Sequence, residues 1–399
     1  MIATLSGTRI LVADDQPDAA RTFCSPLRAA GAKIQHVSDG HAAWDAIGSQ
    51  PFDLALVDMK MPPEEWGGLW LLEQLANTRI RLPVLVLSGE GGKLEVIKAM
   101  RLGAADWVDK DSAAEQLHPA CAKLLAEANA AALQNAAEQL PTPIAYRFAR
   151  YLRATTTETQ VSEGLHTIEA ILRLAACIGM AASRPCPIPG LALSKLYRPS
   201  MGTWRDIAFA LGRQAQTNTT AKRIVQALAP DTPSRTTVDA LIKLRNDIFH
   251  GRTAPKSSDR DTIDWLLRRF AHRATTSLQL SLGVATSMRF DGTSYTLDTL
   301  LVRGTATPQP ATHHVDRPIV DGTILLLDEA GSFADLTPLF ASATSPAGGV
   351  RCVQFEGILE GADSGGGPIV KYSFGHGGDE DLPNPPPNTW PAVHQWTTS

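Results

Sequence analysis

The chain has 399 residues, of which 44% are hydrophobic and 20% charged, with a formal net charge of −4. That length exceeds one ordinary core and that apolar content excludes general disorder, so two or three globular domains are expected. No segment sustains the roughly eighteen apolar residues that a bilayer-spanning helix needs, which predicts a cytoplasmic protein with no membrane partner.

The five cysteines, Cys24, Cys121, Cys177, Cys186 and Cys352, are scattered and lack zinc-ligand spacing, so reduced and mostly buried thiols are expected. Charge is uneven along the chain. Residues 1–140 hold 12 basic and 18 acidic side chains, residues 141–300 hold 21 and 12, and residues 301–399 hold 4 and 11. This succession suggests three units, of which only the middle one has a charge excess suited to an anionic partner.

From Arg9 to Val108, the short apolar runs RILVA, KIQHV, LALVD, PVLVLS and DWV alternate with amphipathic stretches. Strands apolar along their whole length, with helices between them, predict a doubly wound α/β domain with five parallel strands. Ser112 and Glu115 have capping-box spacing, so a helix is expected from Ala113 to the Pro141 break, with Pro119 kinking or restarting it. Leu124, Ala128, Ala131 and Ala132 on that helix offer a thin seam for a homodimer. Residues 142–282 read as helical; after Gly283 the pattern turns to period two, in SMRFDGTSYTLDTLLV, followed by a Thr/Pro/His-rich linker. The next segment reads as a small antiparallel sheet with turns at Glu329–Gly331 and Ser364–Gly367, and the Gly/Pro/acidic tail as disordered.

Ligands in a doubly wound sheet collect beyond the C-terminal strand ends. There stand Asp14, Asp15, Asp58, Ser88 and Lys110. Three converging carboxylates call for a hard cation such as Mg²⁺, and the set suits phosphoryl transfer, with Asp58 as attacking oxygen, Lys110 as second cation and Ser88 as hydroxyl donor.

In ILVADD, LALVDMKMP, VLVLSG and GAADWVDK, residues 8–125 resemble the receiver domain of two-component response regulators. The resemblance implies a flavodoxin-like fold, phosphorylation of Asp58 by a sensor histidine kinase or phosphotransfer protein, and Mg²⁺ held by Asp14, Asp15, Asp58 and the Lys60 backbone carbonyl. It also implies that Trp107 is the aromatic whose reorientation reports phosphorylation. Two departures stand out: the PEEWGG loop is about two residues longer than the family form, and Asp111 replaces the usual proline after Lys110.

In TTVDALIKLRNDIFHGR, Val238, Leu241, Ile242, Ile248 and Phe249 have the spacing of one buried helix face, with Arg245 in its middle. That guanidinium must be paired or directed into a polar pocket. Asn246 and His250 share an adjacent face, and Gly251 is placed as the C-terminal cap. The Arg-Asn-x-x-x-His pattern in a helical domain resembles the HEPN superfamily, several members of which are metal-independent ribonucleases. The resemblance implies acid/base work by His250 and phosphate stabilisation by Arg245, with Arg252, Lys256 and Arg260 as further phosphate contacts. RNA is therefore a candidate partner, while the missing basic recognition helix argues against sequence-specific DNA.

The expected organisation is a receiver over 1–125, a linker helix over 126–141, a HEPN-like domain over 142–282, a β-hairpin and linker over 283–318, a β-rich module over 319–375 and a disordered tail over 376–399. The expected function is a response regulator with a HEPN-like binding or oligomerisation output; the alternative is a phosphorylation-regulated HEPN ribonuclease of stress or phage defence.

Overall fold

A computed structural model describes residues 5, 7–78, 80–89, 93–183, 185–213, 219–278, 280–327, 333–344, 349–362, 368–374, 378–380 and 389–397. The chain divides into two compact units, one of residues 1–133 with 268–279, the other of 134–267 with 280–399.

The first unit runs β1 (Arg9–Ala13), α1 (Pro17–Phe23), α2 (Ser25–Ala29), β2 (Lys33–Val37), α3 (Gly40–Ser49), β3 (Leu54–Asp58), α4 (Gly67–Ala76), β4 (Val84–Ser88), α5 (Lys93–Arg101), β5 (Asp106–Asp109) and α6 (Ala113–Gln139). Its five parallel strands are ordered β2-β1-β3-β4-β5, a flavodoxin-like sheet. Alternate side chains serve two cores: Ile10, Val12, Leu54, Leu56 and Leu85 meet Phe23, Leu27 and Leu117, while Leu11, Ala55, Val57 and Val86 meet Ile47, Leu71 and Leu72. Burial on both faces explains why the strands read as unbroken apolar runs.

Helix α6 is continuous through Pro119. The capping-box expectation at its start is corrected: Lys110–Ser112 forms a 3₁₀ turn capped by Asp109, and the Ser112 hydroxyl donates to the Asp109 carbonyl. Of the four seam residues, Leu124 and Ala132 are buried inside the chain, while Ala128 is half-buried and Ala131 exposed.

In the second unit, α7 (Thr142–Arg153), α8 (Thr157–Ala181), α9 (Ser194–Tyr197), α10 (Met201–Leu211), α11 (Thr219–Leu228) and α12 (Thr232–Phe249) precede α13 (Ser257–Ser277). Capping boxes at Thr156/Thr159 and Ser200/Thr203 start α8 and α10. By length and composition α8 is apolar enough to cross a membrane, but 83% of its most apolar window is buried within the protein. At Gly164 an added Cβ would lie 2.3 Å from Ile263, so glycine admits α13 to close contact with α8.

Strands β6 (Ser281–Phe290), β7 (Tyr295–Leu301), β8 (Gln309–Val315), β9 (Ile324–Leu327) and β10 (Phe333–Asp335) form one sheet in the order β10-β9-β6-β7-β8. The Asp291-Gly292 turn joins β6 to β7; Asp291 accepts from the Thr293 and Ser294 amides, and Gly292 takes a positive φ. The expected Thr/Pro/His linker is corrected, since its Gln309–Val315 stretch is the edge strand β8. An edge tolerates Pro310, and Val315 at its inner end is buried. A second sheet holds β11 (Phe340–Thr344), β12 (Val350–Ala362), β13 (Pro368–Phe374) and β14 (Gly378–Glu380).

The expected turns at Glu329–Gly331 and Ser364–Gly367 lie outside the described residues. Disorder after residue 375 is corrected where the tail is described: β14 pairs with β13, and α14 (Thr389–His394) leads to buried Val393 and Trp396. The apolar residues of TWPAVHQW supply a burial drive that the surrounding Gly/Pro composition conceals.

Candidate functional site

The ends of β1 and β3 bring Asp14, Asp15 and Asp58 together, with ligand oxygens within 4.8 Å of one another. Asp14 and Asp58 are buried and Asp15 is exposed. Lys110, in the turn after β5, places Nζ 2.8 Å from Asp14 Oδ2 and 2.7 Å from Asp58 Oδ2. The amide of Lys60 donates to Asp58 Oδ1 at 3.3 Å, and that of Gln16 to Asp14 Oδ1 at 2.8 Å.

Burial raises the Asp58 carboxyl pKa, and the Lys110 hydrogen bond only partly offsets it. For Lys110, burial opposes the charge, but hydrogen bonds with Asp14 and Asp58 prevail and lift its pKa above the ordinary lysine value. The pocket is thus an anionic oxygen cluster with one cation at its edge. Its all-oxygen donor set, two members buried and one facing solvent, fits a hard divalent ion with water completing the shell.

Ser88 ends β4, in register with Asp109 immediately before Lys110, while its side chain lies outside the described set. The neighbouring Gly89 would place a Cβ 3.5 Å from Lys110 Cδ, so this strand end borders the lysine. Trp107 is on edge strand β5, 45% exposed.

The PEEWGG loop folds tightly under the site. A Cβ on Gly67 would lie 2.1 Å from the Pro62 carbonyl oxygen, and one on Gly68 2.4 Å from the Asp58 carbonyl oxygen. Gly67 lets the start of α4 close on the Met61–Pro62 backbone and Gly68 lets it touch the end of β3, a role that reading the loop by length alone misses. Also unanticipated is His36, whose Nε2 lies 2.8 Å from the Asp14 carbonyl oxygen; a lone histidine in a short strand carries no sequence signal for this.

The family model for the response regulator receiver domain matches residues 10–122. Those residues are a response regulator receiver domain. The receiver is 35% identical over 101 residues to Response regulator GtcR of Aneurinibacillus migulanus, covering 25% of this chain and 40% of that protein. It is 34% identical over 102 residues to Regulatory protein VanRc of Enterococcus gallinarum, covering 26% and 43%. A solved receiver domain of the Francisella response regulator 1452 is 25% identical and covers 30% of this chain and 98% of its own, with a TM-score of 0.29. The match thus spans less than half the length of the two curated relatives.

Beyond the receiver, Arg245 pairs with Glu169 of α8 at 3.1 Å. Asn246 and His250 are exposed, and the His250 ring makes an edge contact with Phe249. Gly251 follows the cap residue His250 with positive φ, as its spacing predicts. Val238 and Leu241 are buried and Ile242 and Ile248 half-buried, but Phe249 is 81% exposed, which corrects the expected face at its last member. Arg252 pairs with Asp247 and Arg260 with Asp261, so both engage carboxylates on their own surface.

Proposed function

We propose that this chain is a response regulator in which a histidine kinase or phosphotransfer protein phosphorylates Asp58 and the helical unit responds. The observation that carries this reading is the convergence of Asp14, Asp15, Asp58 and Lys110 at the strand ends of a receiver sheet. An Asp58 carboxylate oxygen attacks the phosphorus of a phosphohistidine; the acyl phosphate forms as the phosphorus–nitrogen bond breaks and the histidine nitrogen regains a proton. Lys110 follows the charge from the free carboxylate to the new phosphoryl oxygens, aided by the Ser88 hydroxyl, while Trp107 responds on β5. Asp14, Asp15, Asp58 and the Lys60 carbonyl are the residues to hold Mg²⁺, which when bound offsets carboxylate charge and steadies the transferring oxygens. The test is acid-labile labelling by a small phosphodonor with Mg²⁺, abolished in Asp58→Asn; label retained on that variant rejects the assignment.

For the helical unit we favour a HEPN-like binding or oligomerisation output over a ribonuclease. Arg245 is engaged by Glu169 rather than turned toward a substrate, whereas Phe249 and His250 present a ring pair to solvent. Incubation with single-stranded RNA separates the two: cleavage that is lost in His250→Ala establishes the nuclease, and intact RNA with and without phosphodonor supports the binding output.

A further inference from the structure

The acidic pocket lies at the C-terminal ends of β1 and β3; the N-terminal ends of the same two strands are gripped by the last turns of α13. Asp53 precedes β3, and its Oδ2 accepts from the Arg9 amide at the start of β1 (2.7 Å) and from Arg273 Nη2 (2.8 Å). Arg273 Nη2 also donates to the Gly7 carbonyl at 3.0 Å, and Arg269 Nη2 donates to it at 2.7 Å. His272 Nε2 is 2.7 Å from the Asp53 carbonyl oxygen, and the Thr276 hydroxyl donates to the Phe52 carbonyl at 3.3 Å. Asp53, His272, Arg273 and Thr276 are all buried.

These contacts belong wholly to the first unit, which takes in residues 268–279 although they lie far along the chain. Helix α13 is uninterrupted from Ser257, and its first residues belong to the second unit. The helical stretch 134–267 therefore leaves the receiver through α6 and returns to it through α13. A single buried guanidinium spans the two strands that carry the acidic pocket. Its Nε and Nη1 have no hydrogen-bond partner among the described residues, so relative movement of β1 and β3 leaves a buried charge without compensation. Close-packed strands move as bodies rather than deforming locally.

We propose that the Arg273 grip on Asp53 and Gly7 is a positioning contact through which the state of the acidic pocket is passed along α13 to the helical unit. The proposal rests on Asp58 being the phosphoacceptor. Hydrogen–deuterium exchange of the full chain, with and without acetyl phosphate and Mg²⁺, tests it while acid-labile label on Asp58 is read in the same samples. In wild type, phosphorylation shifts uptake across residues 257–277 by about threefold or more. In Arg273→Met, label reaches Asp58 equally but the uptake difference vanishes. Should that variant fail to fold, Arg269→Gln, which removes the outer contact to Gly7 and leaves Arg273 in place, is expected to diminish the difference.

Unchanged uptake in labelled wild type overturns the proposal, and so does a difference that survives intact in the folded variant. Absence of label in wild type is a separate failure, that of the phosphoacceptor reading, and removes the input on which the proposal depends.

Discussion

Asp53 and Asp58 stand at opposite ends of one strand, each held by a cation: Arg273 at 2.8 Å from the first and Lys110 at 2.7 Å from the second. Strand β3 between them is buried along its whole length. One end is closed and structural, the other open to a ligand, and their electrostatics lead to different expectations.

At the closed end, Asp53→Asn or Arg273→Met leaves one buried charge or polar group without its partner. Each single substitution is expected to cost about 3–5 kcal/mol, with the double substitution costing less than the sum. Denaturant unfolding of all four species measures this. Burial works against ionising Asp53, yet Arg273 and His272 keep its pKa below the usual 3.8. A depressed carboxyl stabilises above the ordinary value and loses that contribution as pH falls through the folded one, so this pair weakens only in strong acid.

His272 responds at milder pH. Burial, partly opposed by Asp53 and reinforced by Arg273 and Arg269, holds its pKa below 6.5. The unfolded chain therefore takes up the proton first, and stability falls as pH drops below about 6.5. Thermal unfolding between pH 7.5 and 5.5 should show a decline that is shallower in His272→Gln. An equal decline in that variant contradicts this origin.

At the open end, Lys110→Met removes the cation shared by Asp14 and Asp58. Binding of Mg²⁺, followed by Trp107 fluorescence, is expected to tighten severalfold because a like charge near the ion is gone. Phosphoryl transfer is expected to fall, since the lysine no longer meets the incoming oxygens. Looser Mg²⁺ binding in the variant is the opposing result.

Gly68→Ala tests the loop beneath the pocket. Its Cβ would sit 2.4 Å from the Asp58 carbonyl oxygen, so either β3 or α4 must move. A loss of about 1–3 kcal/mol is expected from overpacking, together with slower labelling of Asp58. Chemical unfolding and a labelling time course measure the two effects.

The receiver was legible in the sequence because its signals are local: unbroken apolar strands give the sheet, and acidic residues directly after them land in one pocket. The pairing of Arg273 with Asp53 was not, because it joins residues 220 apart and a helical arginine looks the same whether solvated or buried. The helical stretches from Pro143 onward were readable from periodicity, but Phe249 has core spacing and is exposed, since spacing defines a face without saying where its cover ends. Composition misled in β8 and at Trp396, where proline and glycine masked an edge strand and a buried aromatic. Scattered cysteines without metal-ligand spacing read as buried thiols, and four are: burial lifts the thiol pKa of Cys24, Cys121, Cys177 and Cys352 to about 12.

Mass-spectrometric localisation of acid-labile phosphate after exposure to acetyl phosphate and Mg²⁺ decides whether Asp58 is the phosphoacceptor. Wild type is expected to carry a single phosphoryl group on Asp58 and Asp58→Asn none; a phosphoryl group on another residue, or undiminished label in the variant, is the opposing result.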